Sequence, residues 1–242
     1  MFLALDIGNS HVVCAVHDSK KWIHSIRIPS TLDFWNQFFT LKKYTVTHAA
    51  ISSVVPRLTS LYVESIQNIF HIDSFIINHE NSGIVLEVDS AKEVGIDRIC
   101  NTAGAKELIG CPAIIGDIGS ATNYDVVNET GAFIGGAIAP GLETSSRNLF
   151  DKAALLKETA FIVPTSAIGK NTASNLQSGI MLGAIDIIDG MFSRIQSEME
   201  WEDPYNIISG GFGEMISPHL QTKHALLPTL TLDGIRIIYE KQ

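Results

Sequence analysis

Apolar and polar positions change period along this chain, and each change predicts an element. The run Phe2-Leu3-Ala4-Leu5 delivers Asp6 into a turn at Gly8-Asn9-Ser10. Alternation then predicts strands over 11–16 and 22–28, joined by the polar turn Asp18-Ser19-Lys20-Lys21. With residues 2–6 they form a three-stranded meander. A helix is expected over 32–43, with Ser30 or Thr31 as N-cap. A strand over 48–54 precedes Pro56, which suits the first turn of a helix. Leu58, Leu61, Tyr62, Ile66 and Ile69 recur at three-to-four spacing and give that helix one apolar face. Short strands follow at 75–77 and 84–88, then a helix over 97–109.

The second half repeats the order. Strands are expected at 112–118, 122–127 and 131–138, with turn signals at Asn128-Glu129 and Gly135-Gly136. Pro140 is placed at the start of a helix carrying Leu142, Leu149, Ala153 and Leu156. A long helix covers 172–199, and a strand at 205–209 runs into Gly210-Gly211 ahead of a further helix. Each half therefore reads β-β-β-α-β-α, which defines an α/β fold of two related domains, 1–110 and 111–242. Two such halves side by side form a cleft, the usual ligand position in α/β proteins.

The repeat is also written in polar residues. Asp6-Ile7-Gly8-Asn9-Ser10 returns as Asp117-Ile118-Gly119-Ser120-Ala121-Thr122, 111 positions later (117 against 6) in a chain of 242 residues. A strand ending in Asp-x-Gly brings a carboxylate to a turn where the glycine lets the backbone approach a ligand closely. Exposed N–H groups there, with Asn9 and Ser10, suit terminal phosphates, and the Asp6 carboxylate suits Mg²⁺ held directly or through water. Between the two copies, Asp97 in Gly95-Ile96-Asp97-Arg98 stands just ahead of a helix. The positive end of the helix dipole and the neighbouring Arg98 both favour an ionised carboxylate able to accept a hydroxyl proton. Ser209-Gly210-Gly211 would allow an adenine or ribose ring to lie flat against the backbone.

Composition narrows the partners. Hydrophobic residues make up 45% and charged residues 18%, enough for packed cores. The net charge is −9 and the 17 basic residues form no long cluster, which argues against nucleic acid as the partner. No apolar run reaches the roughly 18–20 residues that span a bilayer, and no secretory signal is visible. Cys14, Cys100 and Cys111 lack metal-ligand spacing and read as reduced thiols. The eight histidines show no close ligand spacing, and the Phe34, Trp35, Phe38, Phe39 cluster reads as core.

These motifs, in this order, resemble the superfamily of sugar kinases, heat-shock chaperone ATPases and actin. With Ile51-Ser52-Ser53-Val54-Val55-Pro56, Gly135-Gly136-Ala137-Ile138-Ala139-Pro140-Gly141 and Gly169-Lys170-Asn171-Thr172 added, the ordered set resembles the type III pantothenate kinases. The resemblance implies two ribonuclease-H-like halves around a central nucleotide cleft. It implies a cytoplasmic homodimeric enzyme that uses ATP, Mg²⁺ and a monovalent cation, K⁺ or NH₄⁺, to phosphorylate pantothenate. On that resemblance Asp97 is the catalytic base, and Gly95, Ile96, Arg98 and Thr172 bind substrate. Asp6, Gly8, Asn9, Ser10, His11 and Ser120 bind nucleotide, and Asp117 seats the monovalent cation. Thr172 is also a candidate N-cap of the long helix.

The chain departs from the family pattern at Ser120, where threonine is usual, at Asn123, where it is frequent, and at Val88, where a pocket tyrosine often stands. The long helix, with Ile180, Ala184, Ile187, Ile188 and Met191, is a candidate for the dimer interface and equally for an internal core. Two other functions fit the same fold: a non-catalytic ligand-sensing regulator, and a sugar kinase or polyphosphate phosphatase.

Overall fold

A computed structural model describes residues 1–153 and 155–242. The chain forms two compact units. The first comprises Met1–Gly110, Gly131–Phe133 and Thr229–Gln242, and the second Cys111–Thr130 and Ile134–Pro228.

The first unit opens with β1 (Phe2–Ile7), β2 (His11–His17) and β3 (Trp22–Pro29), followed by the short α1 (Trp35–Phe39). Then come β4 (His48–Ser53), α2 (Pro56–Phe70), β5 (Ser74–Ile76) and α3 (Ile96–Leu108). The sheet runs β3-β2-β1-β4-β5. Its first three strands pair antiparallel, and β4 and β5 add on in parallel. This order, with a meander ahead of parallel strands, is the ribonuclease-H-like arrangement. Because side chains alternate along a strand, Leu3, Leu5 and Ile7 face one way, into a core with Leu58, Tyr62 and Ile66 of α2. Ala4, Ala15 and Ala50 face the other way, against Ile99, Cys100 and Ala103 of α3. Small alanines there let helices lie close to the sheet at the end where Asp6 emerges.

The second unit opens with β6 (Ala113–Ile118), β7 (Ala121–Val127) and β8, whose span is Phe133–Pro140, then α4 (Leu142–Lys152). It continues through α5 (Thr172–Gln177), α6 (Gly183–Glu198), β9 (Tyr205–Ser209), the one-turn α7 (Gly213–Ile216) and β10 (Ala225–Leu226). The last helix, α8 (Leu230–Glu240), packs in the first unit, with Leu232, Ile235 and Ile238 in the core beside α3. The second sheet runs β10-β9-β6-β7-β8, with β6 antiparallel to β7 and parallel to β9. Its core joins Ile114 and Ile118 to Met181, Ile185, Ile188 and Phe192. The fold is thus α/β, two units each built on a mixed five-stranded sheet.

Several expected elements differ in detail. Residues 84–88 form no strand; a single bridge joins Leu86 to Phe133. The helix expected over 32–43 shrinks to α1 and a 3₁₀ turn at Thr40–Lys43, and neither Ser30 nor Thr31 caps it. Ser30 is used elsewhere, its hydroxyl donating to the Gly8 carbonyl at 2.6 Å. Phe34 and Phe38 are buried against Tyr62, whereas Trp35 and Phe39 of the same cluster are exposed. Pro140 ends β8, Gly141 occupies the N-cap of α4, and Gly135-Gly136 lie within the strand. The long helix runs through 172–198, with a π-helical turn at Ser178–Leu182. Glycines at 179 and 183 leave space around that turn, where the sixteen-residue α6 begins.

Candidate active site

In the first unit, β1 ends by setting Asp6 beside β4. The parallel register places Asp6 opposite Ser52, and the Ser52 hydroxyl donates to Asp6 Oδ1 at 3.1 Å. The turn beyond it is short. Gly8 N–H donates to the His11 carbonyl at 3.0 Å, and Ser30 N–H donates to the Ser10 carbonyl at 2.9 Å. Asn9 and Ser10 are thereby held exposed at the tip, and Arg27 Nη2 lies 3.1 Å from His11 Nδ1.

Asp97 is the second residue of α3, in its first turn. Arg98 N–H donates to Asp97 Oδ1 at 2.9 Å, and a Cβ on Gly95, the N-cap residue, would collide with that same oxygen. The carboxylate folds back over the cap, so a side chain at 95 would push it aside. Burial pushes the Asp97 carboxyl above its ordinary range, while the Arg98 amide and guanidinium pull it down. Burial wins, so the balance runs opposite to the one expected from the helix dipole and Arg98 alone. The Arg98 guanidinium carbon lies over the Phe133 ring, 5.0 Å from its centroid, a cation–π contact. Asp6 and Asp97 both act on one buried group: burial foremost, then the charges of both carboxylates, hold the Cys100 thiol protonated. Val88 is half-buried in a bend ahead of this segment.

In the second unit, Asp117 is the last residue but one of β6, flanked by Asn123 on β7 and Ser209 on β9. The two repeat turns are not identical. Ile7 pairs with Val12, whereas Ile118 pairs with Thr122, so the second turn is one residue shorter. Gly119 N–H closes it onto the Ala121 carbonyl at 2.9 Å. Ser120 is exposed, and its carbonyl accepts the Gly141 N–H at 3.1 Å and the Thr144 hydroxyl at 2.7 Å, which ties the start of α4 to the turn. Gly210 sits at φ +86°, and a Cβ there would press on Asp117 Oδ1 and the Ile118 backbone. The Gly-Gly turn after β9 thus forms one wall of the Asp117 position. Thr172 is exposed as the first residue of α5; the N-cap is Asn171, in a capping box with Ser174.

Within the first unit, the fold assembles Asp6, the Gly8–His11 turn and the Gly95–Arg98 segment around one end of the sheet. Within the second it assembles Asp117, Ser120 and the Gly210 turn. The sequence assigns Ser52 no role of its own within the Ile51-Ser52-Ser53 segment. Its signal was a polar residue in an apolar strand, and only the β1–β4 register shows what it faces. Among the described residues no three His, Cys, Asp or Glu side chains cluster to cage a metal. Single carboxylates with hydroxyl and amide neighbours instead suit Mg²⁺ shared with phosphate oxygens and water. Among the same residues no helix is long and apolar enough to cross a membrane.

Likeness to solved structures supports the class of fold. A Campylobacter jejuni protein assigned to the Baf family of transcriptional activators superposes with a TM-score of 0.64 at 20% identity, covering 99% of this chain and 98% of that one. A Sinorhizobium meliloti protein assigned as a 2-dehydro-3-deoxygalactonokinase superposes with a TM-score of 0.61 at 12% identity, covering 100% of this chain and 96% of that one. At such identities the likeness speaks for the two-unit α/β fold alone.

Sequence similarity is more specific. Residues 2–194 match the family described as type III pantothenate kinase. The type III pantothenate kinase of Thermomicrobium roseum is 37% identical over 253 aligned positions, covering 100% of this chain and 97% of that protein. That of Citrifermentans bemidjiense is 35% identical, covering 100% and 99%. The chain belongs to the type III pantothenate kinase family.

Proposed function

We propose that this protein transfers the γ-phosphoryl group of ATP to the primary hydroxyl of pantothenate, giving 4′-phosphopantothenate, the first step toward coenzyme A. The observation that carries this reading is the full-length similarity to type III pantothenate kinases, with Gly95-Ile96-Asp97-Arg98 at the start of α3 as its chemical core.

Phosphoryl transfer asks the protein mainly for positioning and charge stabilisation. Asp97 accepts the proton of the attacking hydroxyl at its carboxylate, and Arg98, over the Phe133 ring, contacts pantothenate with Gly95 and Ile96. The raised affinity of Asp97 for a proton suits a general base, which works best with a pKa nearer the operating pH. Gly8, Asn9, Ser10 and His11 receive phosphates at the first turn, and Ser120 does so at the second. Asp6 would hold Mg²⁺ and Asp117 a monovalent cation, K⁺ or NH₄⁺, and the chemistry supplied there would be positive charge beside the phosphate oxygens.

The reading extends to a cytoplasmic homodimer. Ile138 and Ile187 are 67% and 58% exposed. A pocket of about 320 Å³ in the second unit is lined by Pro140, Leu142, Leu149, Gly183 and Ile187, and an apolar surface of this kind is suited to a second copy of the chain.

The test is an ATP-consumption assay with pantothenate, a panel of sugars and polyphosphate as acceptors. Turnover with pantothenate alone is expected. Turnover with a sugar alone, or with none of the acceptors, overturns the reading.

A further inference from the structure

We infer that Ser52 is a positioning residue for the metal–nucleotide end of the site: its buried hydroxyl, donating to Asp6 Oδ1 at 3.1 Å, sets the aim of the Asp6 carboxylate.

Ser52 lies in the interior of β4, in a segment whose neighbours Ala49, Ala50 and Ile51 are all buried. It is itself 0% exposed. A hydroxyl in such a place costs stability unless it is hydrogen-bonded. The parallel register puts it directly opposite Asp6. A serine hydroxyl has one proton, and here it points to Asp6.

A carboxylate that accepts a fixed hydrogen bond loses rotational freedom about its last torsion. Its remaining lone pairs would then be presented to a cation in one direction, with little reorganisation on binding. Ala4 of β1 and Ala50 of β4 pack in one core with Cys100, three residues beyond Asp97 on α3, so both strands lie against the helix that carries the base.

The inference rests on the proposed role of Asp6, and the experiment separates the two. Binding of Mg²⁺–adenylyl imidodiphosphate is measured by calorimetry for the wild type, Ser52→Ala, Ser52→Cys and Asp6→Asn. Steady-state KM and kcat are measured for both substrates, and melting midpoints by circular dichroism. Alanine removes one oxygen; cysteine fills the space but is a weak donor. Both Ser52 variants are expected to bind the nucleotide complex roughly 10- to 100-fold more weakly, the range for a lost hydrogen bond to a charged group. KM for ATP is expected to rise while KM for pantothenate stays within about threefold. If Asp6→Asn loses binding and both Ser52 variants keep it, the positioning role is wrong. A melting point that falls with nucleotide binding unchanged also overturns it, leaving Ser52 with packing alone. If Asp6→Asn itself binds like the wild type, the reading of Asp6 fails, and this inference with it.

Discussion

Gly95 and Asp97 stand against each other: the carboxylate of Asp97 folds back over the N-cap, where a Cβ on Gly95 would meet Asp97 Oδ1. A side chain at 95 would push the proposed base aside.

Gly95→Ala therefore displaces the carboxylate without removing it. A misplacement of about 1 Å at a reacting group costs on the order of 10²-fold in rate. The expected outcome is kcat lowered roughly 10- to 100-fold, with binding of a nucleotide analogue little changed. Asp97→Asn should cost more, about 10²–10⁴ in kcat, the range for a general base. Wild-type turnover in either variant would remove the segment from its role.

The raised Asp97 pKa has a consequence for stability, and its sign is definite. In the folded protein Asp97 keeps its proton to higher pH than the ordinary 3.8 of an unfolded chain. Below 3.8 it is neutral in both states and costs nothing; as pH rises through the folded value, burial of the charge lowers stability. Asp97→Asn is thus expected to melt higher than the wild type at neutral pH, with the gap closing in acid. Melting curves across pH 3 to 8 check this. A gap that widens toward low pH would show that the native fold stabilises the anion.

Gly210→Ala places a methyl group against Asp117 at a backbone angle of +86°. Left-handed strain for a non-glycine residue costs about 1–3 kcal/mol. The variant should melt lower and lose its response to K⁺ and NH₄⁺. In the wild type, replacing those ions by Na⁺ or Tris should sharply reduce turnover. Unchanged activity without them would dismiss the cation role of Asp117.

Ile187→Glu tests the dimer. Ile187 is exposed on the apolar side of α6, so a charge there should leave the monomer folded and prevent pairing. Light scattering is expected to show a dimer for the wild type and a monomer for the variant. A monomeric wild type would end the proposal.

Much of the architecture was legible because its signals are local. The alternation of Val12, Cys14 and Val16 marks β2 as a strand, and the Leu58–Tyr62–Ile66 face marks α2 as an amphipathic helix. Those periodicities survive folding because the same side chains that set them become the core. Failures fell where partners were distant. Leu86 and Val88 carry a strand-like pattern, yet only Leu86 finds a bridge partner, at Phe133. Pro140 fits a helix start by composition, but the β8 strand reaches it first. Helix α8 belongs to the second half by sequence order, yet the first unit takes it by packing Ile235 and Ile238 beside α3.

By itself the sequence determined the two Asp-Ile-Gly turns, the Gly95–Arg98 segment and the family they belong to, since these depend on residue type and order along a few adjacent positions. Only the tertiary structure decided that Asp97 resists ionisation rather than favouring it, because burial is a sum over neighbours from several elements. Only it decided that Ser52 faces Asp6 across 46 positions of chain, since strand register is fixed by which faces bury together.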